Sequence, residues 1–271
     1  MPETLTLRTL LGYRFLDAAT GAPVRDGLRV LARPVGGGRV VEGYRTASGA
    51  VAFGVLPGLR ALAMPGPDPA PPDRAFWVEV ADLEGRFATV RTRVSVPRRG
   101  GSPPEAVSAL ADFYLFSTPS RPSPPGAAEV RVDLVANGEP AALAVVEAEV
   151  EGRTHFGIAD ERGRAVVYVP YPAASIALTG SPPSGAAPLT DQTWPVTLRV
   201  RYEPDAVAFA PPLRGGGPPV PDLATLVGQG LATWDAPAST ERAEDLRLGE
   251  PLVLRSTPPP EGGPLAITPA P

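Results

Sequence analysis

Apolar and polar residues alternate along much of this 271-residue chain with a period of two, which is typical of β-strands. In residues 86–96, the apolar side chains would share one face of a strand and the arginines the other. The same alternation recurs in four further runs: residues 76–80, 130–134, 146–150 and 196–202. The pattern predicts antiparallel sheets, each with one buried face and one face in water.

The strongest local signal is a turn followed by a strand in residues 157–170. Asp160 can hydrogen-bond its own backbone in such a turn, and Gly163 can adopt the positive φ that other side chains resist. The β-branched and aromatic run that follows, residues 166–169, predicts a core strand. A looser version of this turn and strand stands at residues 46–56, with Gly49 in the place of Gly163.

Several landmarks recur in the same order at nearly constant spacing, which predicts a tandem repeat. Gly138 follows Gly21 by 117 residues, Gly163 follows Gly49 by 114, and Trp194 follows Trp77 by 117. We therefore expect an all-β chain built around two β-sandwich domains. The predicted order is a first module at 1–100, a Pro-rich junction at 101–126, a second module at 127–204 and a C-terminal extension at 205–271.

The last segment fits no third copy of the repeat. Pro221 and Asp222 can begin and cap a short helix, and apolar residues follow at helical spacing: Leu223, Leu226, Val227 and Leu231. Two short strands are predicted at residues 249–254 and 265–267. Two arrangements remain open for this extension, because it can pack on the second module or form an arm for a partner.

Composition narrows the range of functions. The 37 prolines and 29 glycines cluster between the strand-like runs, which favours short strands joined by stiff loops. There is no cysteine, so disulfides and thiolate metal sites are excluded. No apolar run approaches the roughly 20 residues of a membrane span, and the first residues lack the pattern of a secretory signal. We expect a cytoplasmic protein, with release as part of a particle as the alternative.

Charge is distributed unevenly along the chain. Residues 1–100 carry a formal charge of +5 and residues 101–271 carry −9, so the net charge of −4 gives no support to a nucleic-acid partner. Five arginines and no acid fall within residues 86–99. Two interpretations of this strand remain open: a docking patch for an acidic partner, or a solvated face that discourages edge-to-edge aggregation.

Residues that could perform catalysis are few. His155 is the only histidine, and a Ser-His-Asp triad would have to use it, yet no Gly-x-Ser-x-Gly turn occurs. Asp160 and Glu161 could bind calcium, but too few oxygen ligands lie nearby in the sequence. Among 29 acidic residues, nothing selects a carboxylate pair for hydrolysis. We predict a protein that is not an enzyme, with no catalytic, cofactor-binding or metal-binding residues.

The turns carry a resemblance to a known family. Residues 17–24 and 56–58 in the first half, and 137–140 and 159–164 in the second, resemble the carboxypeptidase-regulatory-like, or transthyretin-like, β-sandwich. The resemblance covers residues 8–96 and 127–202 and implies two tandem Ig-like or transthyretin-like domains. The first copy departs from the pattern at Ser48, where the family usually has Asp or Asn. The resemblance implies no peptidase activity, since such modules also serve as spacers and binding modules.

Residues 80–87, 115–119 and 157–164 are similar to stand-alone proteins with two such modules, which are associated with phage-tail-like contractile injection systems. This similarity implies a structural adaptor whose partners are proteins, either subunits of a large particle or further copies of itself. The candidate partner contacts are Arg91, Arg93, Leu223, Leu226, Leu231 and Trp234. The alternative is a carbohydrate- or cell-surface-binding protein that stacks sugars on Trp77, Trp194 or Trp234, and a hydrolase is the third hypothesis.

Overall fold

The computed structural model describes residues 11–57, 74–96, 110–172, 192–236, 238–255 and 263–270. Within these ranges the chain is all-β, as predicted, with one 3₁₀ turn (Pro204–Ala206) and one short α-helix, α1 (Leu223–Val227). None of the described helices is long and apolar enough to cross a membrane. Three proline-rich runs that we expect to be loops, residues 64–73, 97–104 and 181–188, lie outside the described residues.

The strands are short and follow one another closely along the chain. In chain order they are β1 Gly12–Asp17, β2 Leu28–Pro34, β3 Val41–Glu42, β4 Tyr44–Arg45, β5 Val51–Ala52, β6 Arg74–Asp82, β7 Val90–Val96, β8 Leu110–Leu115, β9 Ala127–Ala136, β10 Glu139–Pro140, β11 Val145–Val150, β12 Arg153–Ile158, β13 Arg164–Pro170, β14 Thr193–Arg201, β15 Phe209–Ala210, β16 Val220–Pro221, β17 Thr233–Asp235, β18 Ala238–Ser239, β19 Arg242–Arg247, β20 Leu252–Leu254 and β21 Leu265–Thr268.

The first core lies between two four-stranded sheets. Sheet I has the order β4-β5-β1-β8 and sheet II the order β3-β2-β6-β7. Alternate residues of the strands point inward, so that Phe15, Phe76 and Val80 are buried together in this core, as the alternation predicted. Strand β8 lies within the predicted junction, yet it pairs in parallel with the whole of β1 and places Leu115 in the first core.

The second core lies between sheets III and IV. Sheet III is organised around β9, which pairs with β10, β13, β20 and β21, while β17 and β18 continue the sheet beyond β21. Sheet IV has the order β12-β11-β14-β19. Six residues of the predicted extension belong to this core: Ala232, Trp234, Leu246, Leu254, Leu265 and Ile267. These residues of the extension therefore pack within the second core and complete it, whereas Val207 and Leu226 of the same segment belong to the first core. Neither set forms a free arm.

The two predicted turns have the same backbone hydrogen bonds. The Thr46 amide donates to the Ala50 carbonyl at 2.8 Å and the Gly49 amide to the Thr46 carbonyl at 2.9 Å. Asp160 and Gly163 make the equivalent bonds, to the Arg164 and Asp160 carbonyls, at 2.8 and 2.9 Å. Both glycines have positive φ, +84° and +74°. The turns are thus confirmed, while a duplication of one module stays a prediction.

Arg121 joins the two cores. Its guanidinium donates to both carboxylate oxygens of Asp17, at 2.8 and 2.6 Å, and its Cζ lies 4.8 Å from the centre of the Phe87 ring. The hydroxyl of Tyr168 on β13 donates to the Arg121 carbonyl at 2.5 Å, and Tyr168 also packs against Ala19. One side chain of the junction thus ties the end of β1 to the outer face of sheet III.

Candidate interaction surface

The outer face of sheet II carries Arg91, the first of the predicted contact residues. Cross-strand pairing places Arg91 of β7 opposite Glu79 of β6. The Arg91 side chain is only 5% exposed, lies with its Cζ 4.1 Å from the centre of the Trp77 ring, and donates to the Pro211 carbonyl at 3.1 Å. Burial lowers the pKa of this guanidinium, and the charge of Arg33 adds to that effect. Arg91 is therefore bound to its own chain and is not available to a partner.

The cover over Arg91 is a hairpin of the C-terminal segment. Strands β15 and β16 pair with each other, and we call residues 209–221 the finger. Glu79, which is 4% exposed, accepts a hydrogen bond of 2.8 Å from the amide of Leu213, which is also buried. Arg214 forms an ion pair of 2.5 Å with Glu42 of β3. The finger is thus held on sheet II by both main-chain and side-chain contacts.

The finger is rich in proline and glycine, a composition that predicts a loop. One sequence feature could have indicated that this segment packs on the fold. The apolar Leu213 and the charged Arg214 stand together in a run made otherwise of proline and glycine. The residues that hold the finger lie more than 100 positions away in the sequence. Sequence spacing alone could therefore not place it on sheet II.

Beside the finger, three side chains form a row across sheet II. The register pairs Arg33 of β2 with Trp77 of β6, and Trp77 with Arg93 of β7. Neighbouring strands lie about 4.8 Å apart, so the two arginine side chains stand on either side of Trp77 on one face of the sheet. Arg93 is exposed, whereas Arg33 is half-buried and its Nε atom is buried without a hydrogen-bond partner. Neither arginine forms an ion pair with any residue that the structure describes. We call these three side chains the arginine row, and Arg93 is the part of it that a partner can reach.

The predicted helix lies against the same sheet. Asp222 caps α1 by accepting a 2.9 Å hydrogen bond from the Ala224 amide, as predicted, and its backbone bridges to Arg91. Leu226 is fully buried in the first core, and the half-buried Leu223 packs against the same cluster. These two leucines close the first core, which corrects the expectation that Leu226 contacts a partner.

The remaining two predicted contacts lie apart from sheet II. Leu231 is 39% exposed and its backbone bridges to Arg201. Trp234 is 1% exposed inside the second core, because β17 is an internal strand of sheet III. Trp234 therefore packs within its own chain and offers no surface to a partner. Of the six predicted residues, the structure brings Arg91, Arg93, Leu223 and Leu226 to sheet II.

A cleft of about 1500 Å³ separates the finger, sheet II and residues 158–164, which lie beside the second core. Its walls carry charged residues from all three parts: Arg29 and Glu79 from sheet II, Asp160, Glu161, Arg162 and Arg164 from the predicted turn, and Arg214 from the finger. Most of these charges have a partner. Asp160 accepts hydrogen bonds from Arg164 at 2.7 and 3.1 Å, so its carboxylate is occupied by the chain itself.

The other candidate chemistry is dispersed. His155 is half-buried on the edge strand β12, where burial and then the charge of Arg153 lower its pKa. Trp194 packs on Tyr171 with ring centres 5.5 Å apart. Across the described ranges, no three His, Asp or Glu side chains come together in a way that could hold a metal ion.

Comparison with known proteins gives no family. No protein-family model and no curated protein matches the sequence. Three solved structures are distantly similar. The TIE protein of Bacillus anthracis is 10% identical, with 90% of this chain and 32% of that one covered and a TM-score of 0.25. A protein of Bacteroides ovatus ATCC 8483 described as an adhesin is 10% identical, with 100% and 99% covered and a TM-score of 0.25.

The third is a Ca²⁺-stabilized adhesin with which an Antarctic bacterium binds ice. It is 13% identical, with 78% of this chain and 44% of that chain covered, and the TM-score is 0.16. This chain spans about a third of the TIE protein's length. Likenesses of this strength carry no argument about function, so the resemblance to carboxypeptidase-regulatory-like modules stays a prediction.

Proposed function

We propose that this protein is a non-enzymatic structural adaptor, which docks onto a large multi-subunit particle through the arginine row of sheet II. The particle is a phage-tail-like contractile injection system assembled in the cytoplasm. The observation that carries the proposal is the row itself, where Arg33 and Arg93 flank Trp77 without an ion pair to any described residue. Arginine is enriched at the energetic centres of protein interfaces.

The chemistry of the row indicates an acidic protein surface as the partner. Guanidinium groups bind carboxylates in a two-pronged geometry, and a cationic patch accelerates encounter with an acidic one. The first 100 residues, which contain the row, carry a formal charge of +5, whereas the rest of the chain carries −9. The same row could meet an acidic subunit of the particle or the acidic part of another copy.

A second feature that supports an adaptor is the joint at Arg121. The bidentate pair with Asp17 has side chains that are only 11% and 5% exposed, so it resists solvent screening. Together with the finger, it holds the two cores in one relation. A component of a particle needs this property, because its contacts must face in fixed directions.

The carbohydrate alternative finds less support. Sugar binding by stacking needs an open tryptophan face, yet Arg91 lies over Trp77, Tyr171 packs on Trp194, and Trp234 is buried. A glycan array with the whole chain tests this alternative directly. Specific binding to any glycan would return it to consideration.

The adaptor proposal is tested by charge reversal in the row. We expect the double variant Arg33→Glu with Arg93→Glu to lose at least tenfold in co-sedimentation with the particle. The substitutions replace attraction to an acidic partner surface by repulsion from it. The control is Arg153→Glu with Arg247→Glu, two exposed arginines of sheet IV, and it should co-sediment as the unaltered chain does. Equal co-sedimentation of both double variants would show that the row is not the contact.

Gene neighbourhood gives an independent test of the particle itself. If the particle is a contractile injection system, genes for sheath, tube and baseplate proteins should lie beside the gene for this chain. A neighbourhood without them would contradict the identity of the particle and leave the adaptor role to the co-sedimentation result.

A further inference from the structure

The finger is held on sheet II in the way that a recognition domain holds a peptide. The Arg91 guanidinium donates to the Pro211 carbonyl at 3.1 Å, and the Glu79 carboxylate accepts from the Leu213 amide at 2.8 Å. These two main-chain groups lie two residues apart, just before the chain bends at Leu213 and Arg214. The two buried side chains therefore bind neighbouring main-chain groups of one short segment.

Two side chains of the finger add sequence selectivity to these backbone contacts. Leu213 is 5% exposed on the sheet, and Arg214 pairs with Glu42 at 2.5 Å. The segment that is bound reads Pro211-Pro212-Leu213-Arg214. Its prolines favour the extended conformation and lose little conformational entropy on binding. The site thus contacts an apolar side chain, a cationic side chain and main-chain groups of the same segment.

The burial of Glu79 and Arg91 distinguishes this arrangement from ordinary loop packing. A buried charge is strongly unfavourable unless hydrogen bonds or an opposite charge satisfy it. Glu79 and Arg91 stand opposite each other on neighbouring strands and attract each other, but no ion pair joins them in the described structure, and their hydrogen-bond partners are main-chain atoms of the finger. Without a peptide segment on this face, both charges would lose these hydrogen bonds.

We propose that the outer face of sheet II is a binding site for Pro-Pro-Leu-Arg segments, with Glu42, Glu79 and Arg91 as its recognition residues, and that residues 211–214 occupy it in cis. A second copy carries the same segment, so the partner that the site fits in trans is the finger of another molecule. The site is distinct from the arginine row, and its test does not involve the particle.

The tethered segment explains why a free peptide should not bind the unaltered chain. A ligand joined by a short linker has an effective concentration in the millimolar range. A peptide supplied at micromolar concentration cannot compete with it. Binding in trans therefore requires that the internal segment be removed or weakened.

The experiment uses a fluorescent peptide with the sequence of residues 209–215 and the whole chain in two forms. In one form the finger is blunted by Pro211→Gly, Pro212→Ser, Leu213→Gly and Arg214→Ser. We expect the blunted chain to bind the peptide at least tenfold more tightly than the unaltered chain in fluorescence anisotropy. A peptide with Asp in the place of Leu213 should lose that binding, and adding Glu79→Gln to the blunted chain should weaken it at least fivefold.

Two results would overturn the proposal: a folded blunted chain that does not bind the peptide, or one that binds the Asp-containing peptide equally well. If the blunted chain does not fold by circular dichroism, hydrogen exchange on the unaltered chain decides. Millimolar peptide should then accelerate amide exchange at Leu213 several-fold, because it displaces the finger. Unchanged exchange at Leu213 under these conditions would contradict the site.

Discussion

The turns at residues 46–50 and 160–164 share their backbone geometry but differ in their surroundings. In each, the fourth residue is a glycine with positive φ, and the same two backbone hydrogen bonds close the turn. In the first turn, a β-carbon on Gly49 would lie 3.3 Å from the Arg25 side chain, which can move. In the second, a β-carbon on Gly163 would overlap the Leu134 carbonyl oxygen and lie 3.0 Å from the Ala141 amide.

This difference distinguishes the residues that form the turn from the contacts that attach the turn to the rest of the fold. The glycine and the backbone bonds suffice for the turn, because both copies have them. Only the second turn is packed against the backbone of β9, the central strand of sheet III, where the Gly163 carbonyl accepts from the Leu134 amide at 2.8 Å. The second turn therefore fixes the position of sheet III, whereas the first closes a loop at the surface.

The largest expected effect is the loss of stability when a β-carbon is added at Gly163, compared with the same change at Gly49. We expect Gly163→Ala to destabilise the protein by about 3 kcal/mol or more, because main-chain atoms of β9 must shift in addition to the strain of positive φ. Gly49→Ala should cost only about 1 kcal/mol, which is the strain alone. Urea unfolding followed by tryptophan fluorescence measures both. Equal losses would contradict the difference in packing.

The next effect concerns the joint between the two regions. We expect Arg121→Ala to lower the free energy of unfolding by about 3 kcal/mol, because the buried carboxylate of Asp17 loses its counter-ion. The two cores should then unfold in separate transitions in differential scanning calorimetry. The matched control is Arg14→Ala, which breaks the exposed pair with Asp112 and should cost less than about 1 kcal/mol. A single transition in Arg121→Ala would show that the joint does not couple the cores.

The smallest effect comes from the first residue of each turn. Burial alone would raise the pKa of Asp160, but hydrogen bonds from the Arg164 side chain and from the Arg164 and Arg162 amides lower it below its ordinary value. The stability that this carboxylate contributes is present above pH 4 or so, the unfolded pKa, and is lost as pH falls through the lower folded pKa. Thr46 occupies the same place in the first turn and does not titrate.

We therefore expect Asp160→Asn to reduce the loss of stability between pH 5 and pH 2, and Thr46→Ala to leave that loss unchanged. Near neutral pH, each substitution should cost about 1 kcal/mol or less, which is the scale of one hydrogen bond. Urea unfolding at a series of pH values measures both the cost of each substitution near neutral pH and the loss of stability on acidification. An identical pH dependence in Asp160→Asn and the unaltered chain would exclude Asp160 as a source of acid sensitivity.

The parts of the fold that the sequence predicts are those fixed by neighbouring residues. Alternation gives the inward faces of β6, β9 and β14, and the Asp222 cap gives the start of α1, because each depends on contacts within a few positions. Gly163 is predicted for the same reason. The Arg-rich strand was identified, but not that Arg91 would be buried while Arg93 stays open, since the finger that decides this is remote in sequence.

The parts that could not be predicted depend on pairings between residues that are remote in sequence. Strand β8 pairs with β1 across 98 positions, and the Leu213 amide reaches Glu79 across 134. No local pattern distinguishes a strand that completes a distant sheet from a linker strand. For this reason the sequence does not decide between the two predicted arrangements of the C-terminal extension. Its residues Trp234, Leu246 and Ile267 nevertheless have the hydrophobic character of a core.

The parallel pairing of β20 and β21 with β9 also determines when the protein can fold during synthesis. Residues 252–254 and 265–266 must leave the ribosome before β9, made more than 100 residues earlier, acquires these neighbours. Long-range pairings slow folding, because loop closure precedes the contacts that reward it. The nascent chain therefore leaves one edge of β9 without its strand partners until residues 252–266 have been synthesised, whereas β13 can pair with the other edge earlier. An unpaired strand edge is prone to aggregation during that interval.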